Sequence, residues 1–381
     1  MSVIVAPVNS PRDLALFIDL PRLLYRGDRR YVPPLTLDRR QNLDPRKGAF
    51  FTHGEAQYWL AFRNGTPAGR ISAQIDHAAT ASEFAGTGFF GCLDAIDDAE
   101  VVKALMHEAE AWLRARGMKR VRGPCLLSMN GEPGLLVEGQ GEPPMLMVPW
   151  HPEYLLRLIE ACGFGPVRDL FYFKIAIGTA ELEEVSRRLR LPKWRLNYTI
   201  RKLDRRHPSR EIDILREVYN DAWQNNWGFI PLLEADLAAF KTQLRPFMHP
   251  DYGIIVEKDG EPLGIVLMLP NLAEMSADLG HSPSPLGWLK FLWRAKMQRF
   301  SSARVILFGV KARLSRTVEG AAVAMMLVHE MVTLARRYTL PAIEAGWVLD
   351  SNRPLIAILE QFNARRVRTL RLFEKDIQAE K

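Results

Sequence analysis

Three consecutive segments decide the fold of this chain. The apolar, β-branched run Val305–Val310 (VILFGV) has the length of a buried strand. The basic loop Lys311–Glu319 (KARLSRTVE) follows it, and the small residues Gly320–Ala322 then open a long helical pattern. Amide groups and the positive end of the helix dipole converge where such a loop enters its helix. Since Arg313 and Arg316 add charge, the segments predict an anion-binding turn, with an ordinary strand-to-helix connection as an equally supported alternative.

Composition limits the classes of protein to consider. The chain has 381 residues, 48% hydrophobic residues and a formal net charge of +7. This length favours two domains, and the charge indicates anionic partners such as phosphorylated cofactors, acidic lipid or nucleic acid. The isolated Cys92, Cys125 and Cys162 form neither a metal pattern nor a disulfide framework, and we expect no metal. Without a signal-peptide layout or an apolar run of ~20 residues, a cytoplasmic protein is expected.

Internal repeats indicate a duplicated domain. The turns Asn64-Gly65 and Asp259-Gly260 each lie between two apolar runs, a pattern typical of a β-hairpin. The residue pattern of 158–173 recurs in 358–373. Because the elements follow in the same order in both halves, we predict an N-terminal domain over residues 1–180 and a C-terminal domain over residues 181–381.

The two copies differ in the turn that follows the third strand. The second copy has the basic loop there, whereas the first has the acidic segment Cys92–Glu100, which contains Asp94, Asp97 and Asp98. Acidic side chains would repel a pyrophosphate. Only the second copy is therefore expected to keep a phosphate-binding turn, and the first is expected to be structural or to form one wall of a substrate cleft.

Each half contains a hairpin, a strand ending in the turn, a helix, a strand, a helix and a last strand. This order resembles the GNAT superfamily of acyl-CoA-dependent N-acyltransferases, here in tandem. The resemblance implies an α+β fold with two GNAT-like domains, each a mixed, mostly antiparallel sheet flanked by helices. It also implies that acyl-CoA is the co-substrate of a catalytic domain over 181–381, whereas 1–180 is a degenerate copy without a CoA loop.

The resemblance assigns a CoA site. In the superfamily, the amides of an Arg/Gln-x-x-Gly-x-Gly/Ala signature bind the CoA pyrophosphate, and a strand followed by Asn and a helix splays from its neighbour to admit the thioester arm. Here Thr stands at the Arg/Gln position of the first motif, so the phosphate contacts are expected to shift towards the two arginines before it. The implied CoA-binding residues are Phe308, Val310, Arg313, Arg316, Thr317, Val318, Glu319, Gly320, Ala321, Ala322 and Asn352.

The implied mechanism is direct attack of an amine on the thioester, with the backbone amide of Val310 beside the thioester carbonyl. As general base we expect first Glu344 and then Asp350, which share one strand face by period two. A structural salt bridge is the alternative for each carboxylate. The tyrosine acid found in many members corresponds to Leu359, so the thiolate is expected to leave without an acid.

A loop after the first helix of the C-terminal half is a candidate wall of the acceptor site, as it is in GNAT folds. It contains Asn226, Trp227 and Phe229, and with Trp347 these are the expected substrate-binding residues, core packing being the alternative. An aromatic-rich loop suits an apolar acceptor.

An insertion over residues 286–300 reads as an amphipathic helix. Trp288, Leu289, Leu292 and Trp293 share one side, and Lys290, Arg294 and Gln298 lie opposite. This composition fits an interfacial helix on anionic lipid, with an ordinary lid as the alternative. We therefore expect peripheral attachment to the inner face of the inner membrane.

Further motifs narrow the resemblance. Leu20-Pro21, Tyr25–Asp28, Tyr31–Leu35, Gly69–Ile71 and 226–229 resemble a tandem GNAT-like family of bacterial ceramide synthases, which implies acyl transfer to a sphingoid base. One alternative is an acetyltransferase that acts on another small or peptidyl amine, and one such class uses aminoacyl-tRNA. Another is a non-catalytic, membrane-associated acyl-CoA-binding protein. Because the basic residues are scattered, no nucleic-acid partner is expected.

Overall fold

The computed structural model describes residues 2–178, 197–204, 206–244, 250–280, 282–297 and 300–377. The strands are β1 Val3–Pro7, β2 Gly54–Arg63, β3 Thr66–Asp76, β4 Thr87–Ala95, β5 Arg120–Gly123, β6 Leu135–Glu138, β7 Gly165–Ala176, β8 Thr199–Lys202, β9 Gly253–Lys258, β10 Glu261–Pro270, β11 Ser302–Val310, β12 Ala342–Leu349 and β13 Arg365–Asp376. The α-helices are α1 Pro11–Leu24, α2 Thr36–Leu43, α3 Ala99–Ala115, α4 Tyr154–Glu160, α5 Pro208–Trp223, α6 Glu234–Leu244, α7 Leu272–Ser276, α8 Pro285–Lys296, α9 Val318–Arg337 and α10 Arg353–Gln361.

The chain forms two compact units. Unit 1 consists of Met1–Leu170, Ser276–Ser284 and Arg368–Lys381, and unit 2 consists of Phe171–Met275 and Pro285–Val367. The predicted boundary between residues 180 and 181 lies outside the described residues.

Unit 1 is built on a sheet with the strand order β1-β2-β3-β4-β5-β13. The β4–β5 pair is parallel, and the other neighbours are antiparallel. Side chains alternate between the two faces of β2. Tyr58 and Leu60 therefore pack with Phe17 of α1, whereas Trp59 packs with Leu105 of α3 on the other face.

Unit 2 repeats this design in the strand order β8-β9-β10-β11-β12-β7. The β11–β12 pair is parallel, and β8 to β11 are antiparallel neighbours. On β9, Ile255 packs with Val218 of α5, whereas Val256 packs with Val323 of α9. Both units thus have a mixed, mostly antiparallel sheet with helices on both faces, as predicted.

The predicted hairpin turns are present in both units. Asn64 and Gly65 join β2 to β3 with φ angles of 52° and 79°, and Asp259 and Gly260 join β9 to β10 with φ angles of 53° and 83°. Two successive positive φ angles give the twist that a two-residue hairpin needs, and Asn-Gly and Asp-Gly adopt them at low cost.

The last strands of the two sequence repeats are exchanged between the units. β13 comes from the end of the chain but pairs with β5 and β6 in unit 1. The part of β7 from Phe171 onward belongs to unit 2, where β7 lies beside β12. Because 158–173 and 358–373 share one residue pattern, each strand carries side chains that suit the other's position. A division at residue 180 does not include this exchange.

Helix α9 is the central helix of unit 2. By length and composition it is apolar enough to cross a membrane. Its buried side chains Val323, Met326 and Leu327 pack in the core of unit 2 at 0% exposure, which is the arrangement of a core helix. Full burial of each of these side chains stabilises the unit by about 1.5–3 kcal/mol.

Candidate functional site

The start of α9 is held by a side-chain cap. Thr317 Oγ1 accepts a hydrogen bond from the Gly320 amide at 2.9 Å and donates one to the Leu314 carbonyl at 2.7 Å. Thr317 is therefore the N-cap residue of α9, a position that threonine favours. The helix geometry leaves the amides of Val318 and Glu319 without an acceptor inside the helix. Val318 is 85% exposed, so this end of the helix is open to solvent.

Gly320 allows close contact between the loop and the helix. A Cβ at this position would lie 2.1 Å from the Leu314 carbonyl oxygen, so no other residue fits without moving the backbone. Ala322 is buried, whereas Ala321 is exposed. The small residues thus serve helix packing as well as access to the first turn.

The basic residues of the loop are engaged by carboxylates. Lys311 Nζ contacts Glu217 at 2.5 Å and Glu261 at 3.3 Å, and Arg313 contacts Glu261 at 2.7 Å. Arg316 is exposed and has a φ angle of 65°. The loop is therefore less cationic than its sequence indicates.

A cavity of about 290 Å³ lies against this loop and the first turn of α9. Inside unit 2, Glu319 accepts hydrogen bonds from Lys258 Nζ and the Tyr198 hydroxyl, both at 2.8 Å. The hydrogen bond from Lys258 lowers the pKa of Glu319, so this carboxylate is ionised at neutral pH. The residues lining the cavity are Lys258, Asp259, Glu261, Leu263, Arg313 and Glu319.

Strands β11 and β12 diverge beside this turn. They pair only from Ser302 to Val305 on β11, although β11 continues to Val310. On the other side, the Lys311 amide donates to the Leu263 carbonyl at 2.9 Å, and Val310 is opposite Gly264. Hydrogen-bonded and non-hydrogen-bonded pairs alternate in an antiparallel ladder. The backbone groups of Val310, and of Phe308 two residues earlier, consequently point towards the side from which β12 has diverged.

A row of aromatic side chains lies at this divergence. The ring centroids of Phe229 and Tyr219 are 5.8 Å apart, those of Tyr219 and Trp223 5.1 Å, and those of Trp223 and Trp347 5.7 Å. Trp223 Nε1 also donates to the Phe308 carbonyl at 3.3 Å, which confirms the direction of that group. We call these four residues the aromatic row.

The aromatic row joins two of the expected substrate residues, Phe229 and Trp347, through two that the sequence analysis missed. Tyr219 and Trp223 are four residues apart on α5, and this helical spacing of aromatic residues was the available signal. Asn226 instead closes the turn after α5, because its amide donates to the Trp223 carbonyl and its carbonyl accepts from the Phe229 amide. Trp227 is half-buried in that turn.

The two candidate bases lie in different surroundings. Glu344 is 4% exposed and stands opposite Arg304 in the β11–β12 pairing. Arg304 is 5% exposed, and its guanidinium donates to the Gly346 carbonyl at 3.1 Å. Asp350 is half-buried and directly follows β12. The six residue steps from Glu344 to Asp350 correspond to about 20 Å of extended strand, so the two acids cannot serve one reaction centre together.

Asn352, which the sequence predicts to bind CoA, makes a structural contact. Its side-chain oxygen accepts a hydrogen bond from the Leu355 amide at 3.3 Å and caps α10. It is thus placed at a different helix start from Thr317–Ala322. No group of three or more His, Cys, Asp and Glu side chains suited to a metal ion occurs in the part of the chain that the structure describes.

The corresponding turn of unit 1 is closed by an acid. Asp98 caps α3, accepting from the amides of Glu100 and Val101 at 2.9 and 3.4 Å. A carboxylate in this position satisfies the amides that an anionic ligand would use.

The fold of this chain is that of the tandem GNAT proteins. The tandem GNAT protein from the clavulanic acid biosynthesis pathway matches all of both chains with a TM-score of 0.58 at 11% identity. The GCN5-related N-acetyltransferase from Sphaerobacter thermophilus gives 0.54 at 12% identity, over 100% of this chain and 97% of that one. These likenesses show the fold, and the predicted fold class is confirmed.

Sequence relatives identify the family more closely. The chain is 36% identical over 372 residues to the bacterial ceramide synthase of Caulobacter vibrioides, which covers 97% of each chain. It is also 36% identical over 365 residues to the protein YghO of Escherichia coli, covering 96% of this chain and 93% of that one. The chain therefore belongs to the family of the bacterial ceramide synthase. None of the protein-family profiles compared with the chain matches it.

Proposed function

We propose that this protein transfers an acyl group from acyl-CoA to the amine of a sphingoid base. The observation that carries the proposal is the 36% identity to the bacterial ceramide synthase over 97% of both chains. The tandem GNAT fold and the divergence of β11 from β12 beside a helix start support it.

Unit 2 is the proposed acyl-CoA unit. A ligand that carries amide groups can pair with open strand backbone as an added strand does. Val310 and the amide of Phe308 offer such backbone, whereas the Phe308 carbonyl already accepts from Trp223. The amides of Val318 and Glu319 and the positive end of the α9 dipole suit a phosphate. Lys258 and Arg313 add cations at the same cavity. Since each of these has a carboxylate partner, phosphate binding replaces an ion pair.

In the proposed reaction the amine nitrogen attacks the thioester carbonyl carbon, and the carbon–sulfur bond then breaks to release a thiolate. The Val310 amide stabilises the negative charge that develops on the carbonyl oxygen. A carboxylate accepts the proton that the amine nitrogen loses. Asp350, which directly follows β12, is the proposed proton acceptor, because Glu344, expected first from the sequence, is buried opposite Arg304.

The aromatic row is the proposed contact for the hydrocarbon part of a substrate. Tyr219 and Phe229 are edges of a larger apolar cluster with Val218 and Leu307, and Trp223 and Trp347 extend it to the divergent strands. Large aromatic surfaces of this kind bind apolar chains through area burial.

Helix α8 is the proposed contact with an anionic membrane. Leu286, Leu289, Trp293 and Met297 recur at helical spacing and are each at least 50% exposed. At about 100° per residue, Lys290 and Lys296 flank this stripe on its two sides, an arrangement typical of interfacial helices. Trp288 does not belong to the stripe, because it packs edge-on against the buried Phe291. The predicted Gln298 lies outside the described residues.

The enzymatic proposal is tested with the purified chain, acyl-CoA and sphinganine. We expect free thiol to appear only when the amine is present, together with an equal amount of N-acyl product by mass spectrometry. Thiol release that is independent of the amine, or binding of acyl-CoA without turnover, contradicts the proposal.

The same assay separates the two candidate bases. Asp350→Asn should lower kcat about 10²–10⁴-fold with little change in stability, because a general base is lost. Glu344→Gln should instead lower the free energy of unfolding by about 3 kcal/mol, since it removes a buried carboxylate that stands opposite the buried Arg304 in the strand pairing. If Glu344→Gln instead lowers kcat and Asp350→Asn lowers the stability, Glu344 is the general base.

The ion pairs at the cavity predict a change of affinity in both directions. Glu261→Gln should lower the Kd for coenzyme A by about fivefold, because Arg313 no longer has to break an ion pair with Glu261 before it binds a phosphate. The binding free energy becomes more favourable by ~1 kcal/mol. Arg313→Gln should raise the Kd by about tenfold. Isothermal titration calorimetry measures both, with Glu360→Gln on α10 as the control. Unchanged affinity in both variants places the phosphates elsewhere.

Membrane attachment is tested by flotation with vesicles that contain phosphatidylglycerol. Leu289→Ser with Trp293→Ser removes about 3 kcal/mol of apolar transfer free energy, so we expect ~100-fold weaker partitioning. The control pair Leu37→Ser and Ile358→Ser changes exposed apolar residues outside α8. Equal flotation of both double variants would exclude α8 as the contact.

A further inference from the structure

A second group of charged side chains, outside the site described above, surrounds the end of β4 in unit 1. Asp38 and Arg39 come from α2, Arg70 from β3, and Glu132 from the segment between β5 and β6. Cys92 and Asp94 lie on β4 itself, and Cys92 has a φ angle of 46°. We call these six residues the β4 cluster. In the duplicated sequence, Phe90-Gly91 corresponds to Phe308-Gly309, so Cys92 occupies the position of Val310.

One ion pair of the cluster is fully bonded. Arg70 donates from Nε to Asp94 at 2.8 Å and from Nη1 to the Phe17 carbonyl at 2.7 Å. Asp94 also accepts a hydrogen bond from the Tyr25 hydroxyl at 2.9 Å. Every one of these groups has a partner inside unit 1, and we assign this pair a structural task.

The other ion pair is not fully bonded. Arg39 Nη2 donates to both carboxylate oxygens of Glu132 at 2.8 Å. Arg39 Nη1 is buried, and no acceptor for it occurs among the residues that the structure describes. A buried donor of this kind costs about 1–3 kcal/mol, and a ligand oxygen can satisfy it. The Arg39 and Glu132 side chains keep 14% and 16% exposure, so the pair borders solvent.

The net charge of the β4 cluster favours a positively charged ligand. Asp38, Asp94 and Glu132 carry three negative charges when ionised, against two positive charges on Arg39 and Arg70. Burial raises the pKa of Asp38; among its neighbours Arg39 lowers this pKa and Glu132 raises it. A monocation would complete the balance, whereas a phosphate or carboxylate would be repelled.

Three polar side chains of the cluster and its surroundings, those of Tyr31, Cys92 and His151, are uncharged and can form hydrogen bonds. Burial raises the pKa of Tyr31 and of Cys92, and it lowers the pKa of His151, so all three are uncharged at neutral pH. The Leu136 amide donates to His151 Nδ1 at 3.1 Å, which leaves the proton of the neutral ring on Nε2. These groups provide donors and acceptors without further charge.

We propose that the β4 cluster binds the polar head of an amino alcohol, with its ammonium group at Asp38 and Glu132 and a hydroxyl oxygen at Arg39 Nη1. One cationic nitrogen and one acceptor oxygen on adjacent carbons meet both requirements of the cluster. The inference rests on the proposed function in one respect, since it takes the chemical class of the ligand from the proposed acceptor. The β4 cluster is a binding site of unit 1, whereas the reaction centre proposed above belongs to unit 2.

The test is isothermal titration calorimetry of the full chain with a soluble, short-chain 2-amino-1,3-diol, without acyl-CoA. We expect saturable binding to the wild type, at least tenfold weaker binding to Glu132→Gln, and no binding of the N-acetylated diol. An alkylamine of equal length without hydroxyl groups should bind severalfold more weakly than the diol.

The matched control is Glu153→Gln, which removes an exposed carboxylate from the same unit and should leave the Kd unchanged. Thermal melting checks the fold of each variant. If Glu132→Gln fails to fold, Asp38→Asn provides the same readout, because the side-chain partner of Asp38 is the neutral Asn42. Equal affinity in the folded variants, or no binding to the wild type, overturns the proposal.

These outcomes are separable from those of the proposed function. Turnover of acyl-CoA with sphinganine, together with an affinity for the diol that is unchanged in Glu132→Gln, keeps the acyltransferase and removes the head-group site. Binding of the diol that depends on Glu132, without any acyl transfer, keeps the site and removes the acyltransferase.

Discussion

The proposed chemistry depends on the place where β11 and β12 stop pairing, after Val305 and Ala345. Up to that point the backbone of β11 is bonded on both sides. Beyond it, the alternation of the β10–β11 ladder directs the groups of Phe308 and Val310 to the open side. The Trp223 indole at the Phe308 carbonyl shows that this side accepts a polar partner. A loss of pairing over five residues thus creates a binding edge inside a sheet, where strand edges are otherwise covered.

Three cationic side chains near the start of α9 are paired with carboxylates and do not form an open cationic surface. Lys258, Lys311 and Arg313 are all in contact with carboxylates. Such pairs near the surface contribute little to stability, and their partners can be exchanged at low cost. In the proposed site, a phosphate would therefore compete with Glu261 and Glu319 for these cations, and the two acids would set the affinity of the turn. In unit 1, Asp98 already occupies the equivalent helix start.

Features set by local sequence were predictable, and features set by distant residues were not. The turns Asn64-Gly65 and Asp259-Gly260 depend on φ preferences of two residues, and the start of α9 depends on a cap and small residues. The partner of Arg313 is Glu261, which lies far away in the sequence on β10, so neutralisation of the loop could not be predicted. The exchange of β7 and β13 could not be predicted either, because both repeats carry nearly the same residue pattern. That pattern does not show in which unit each strand pairs.

The most direct measurement is amide hydrogen exchange of the full chain with and without a non-hydrolysable acyl-CoA analogue. If the thioester arm pairs with β11 and the phosphates meet the start of α9, exchange in peptides covering 306–320 should slow on binding. Peptides covering 90–101, the corresponding segment of unit 1, should be unchanged. Slower exchange in 90–101, or no protection in 306–320 at saturating analogue, would contradict the account.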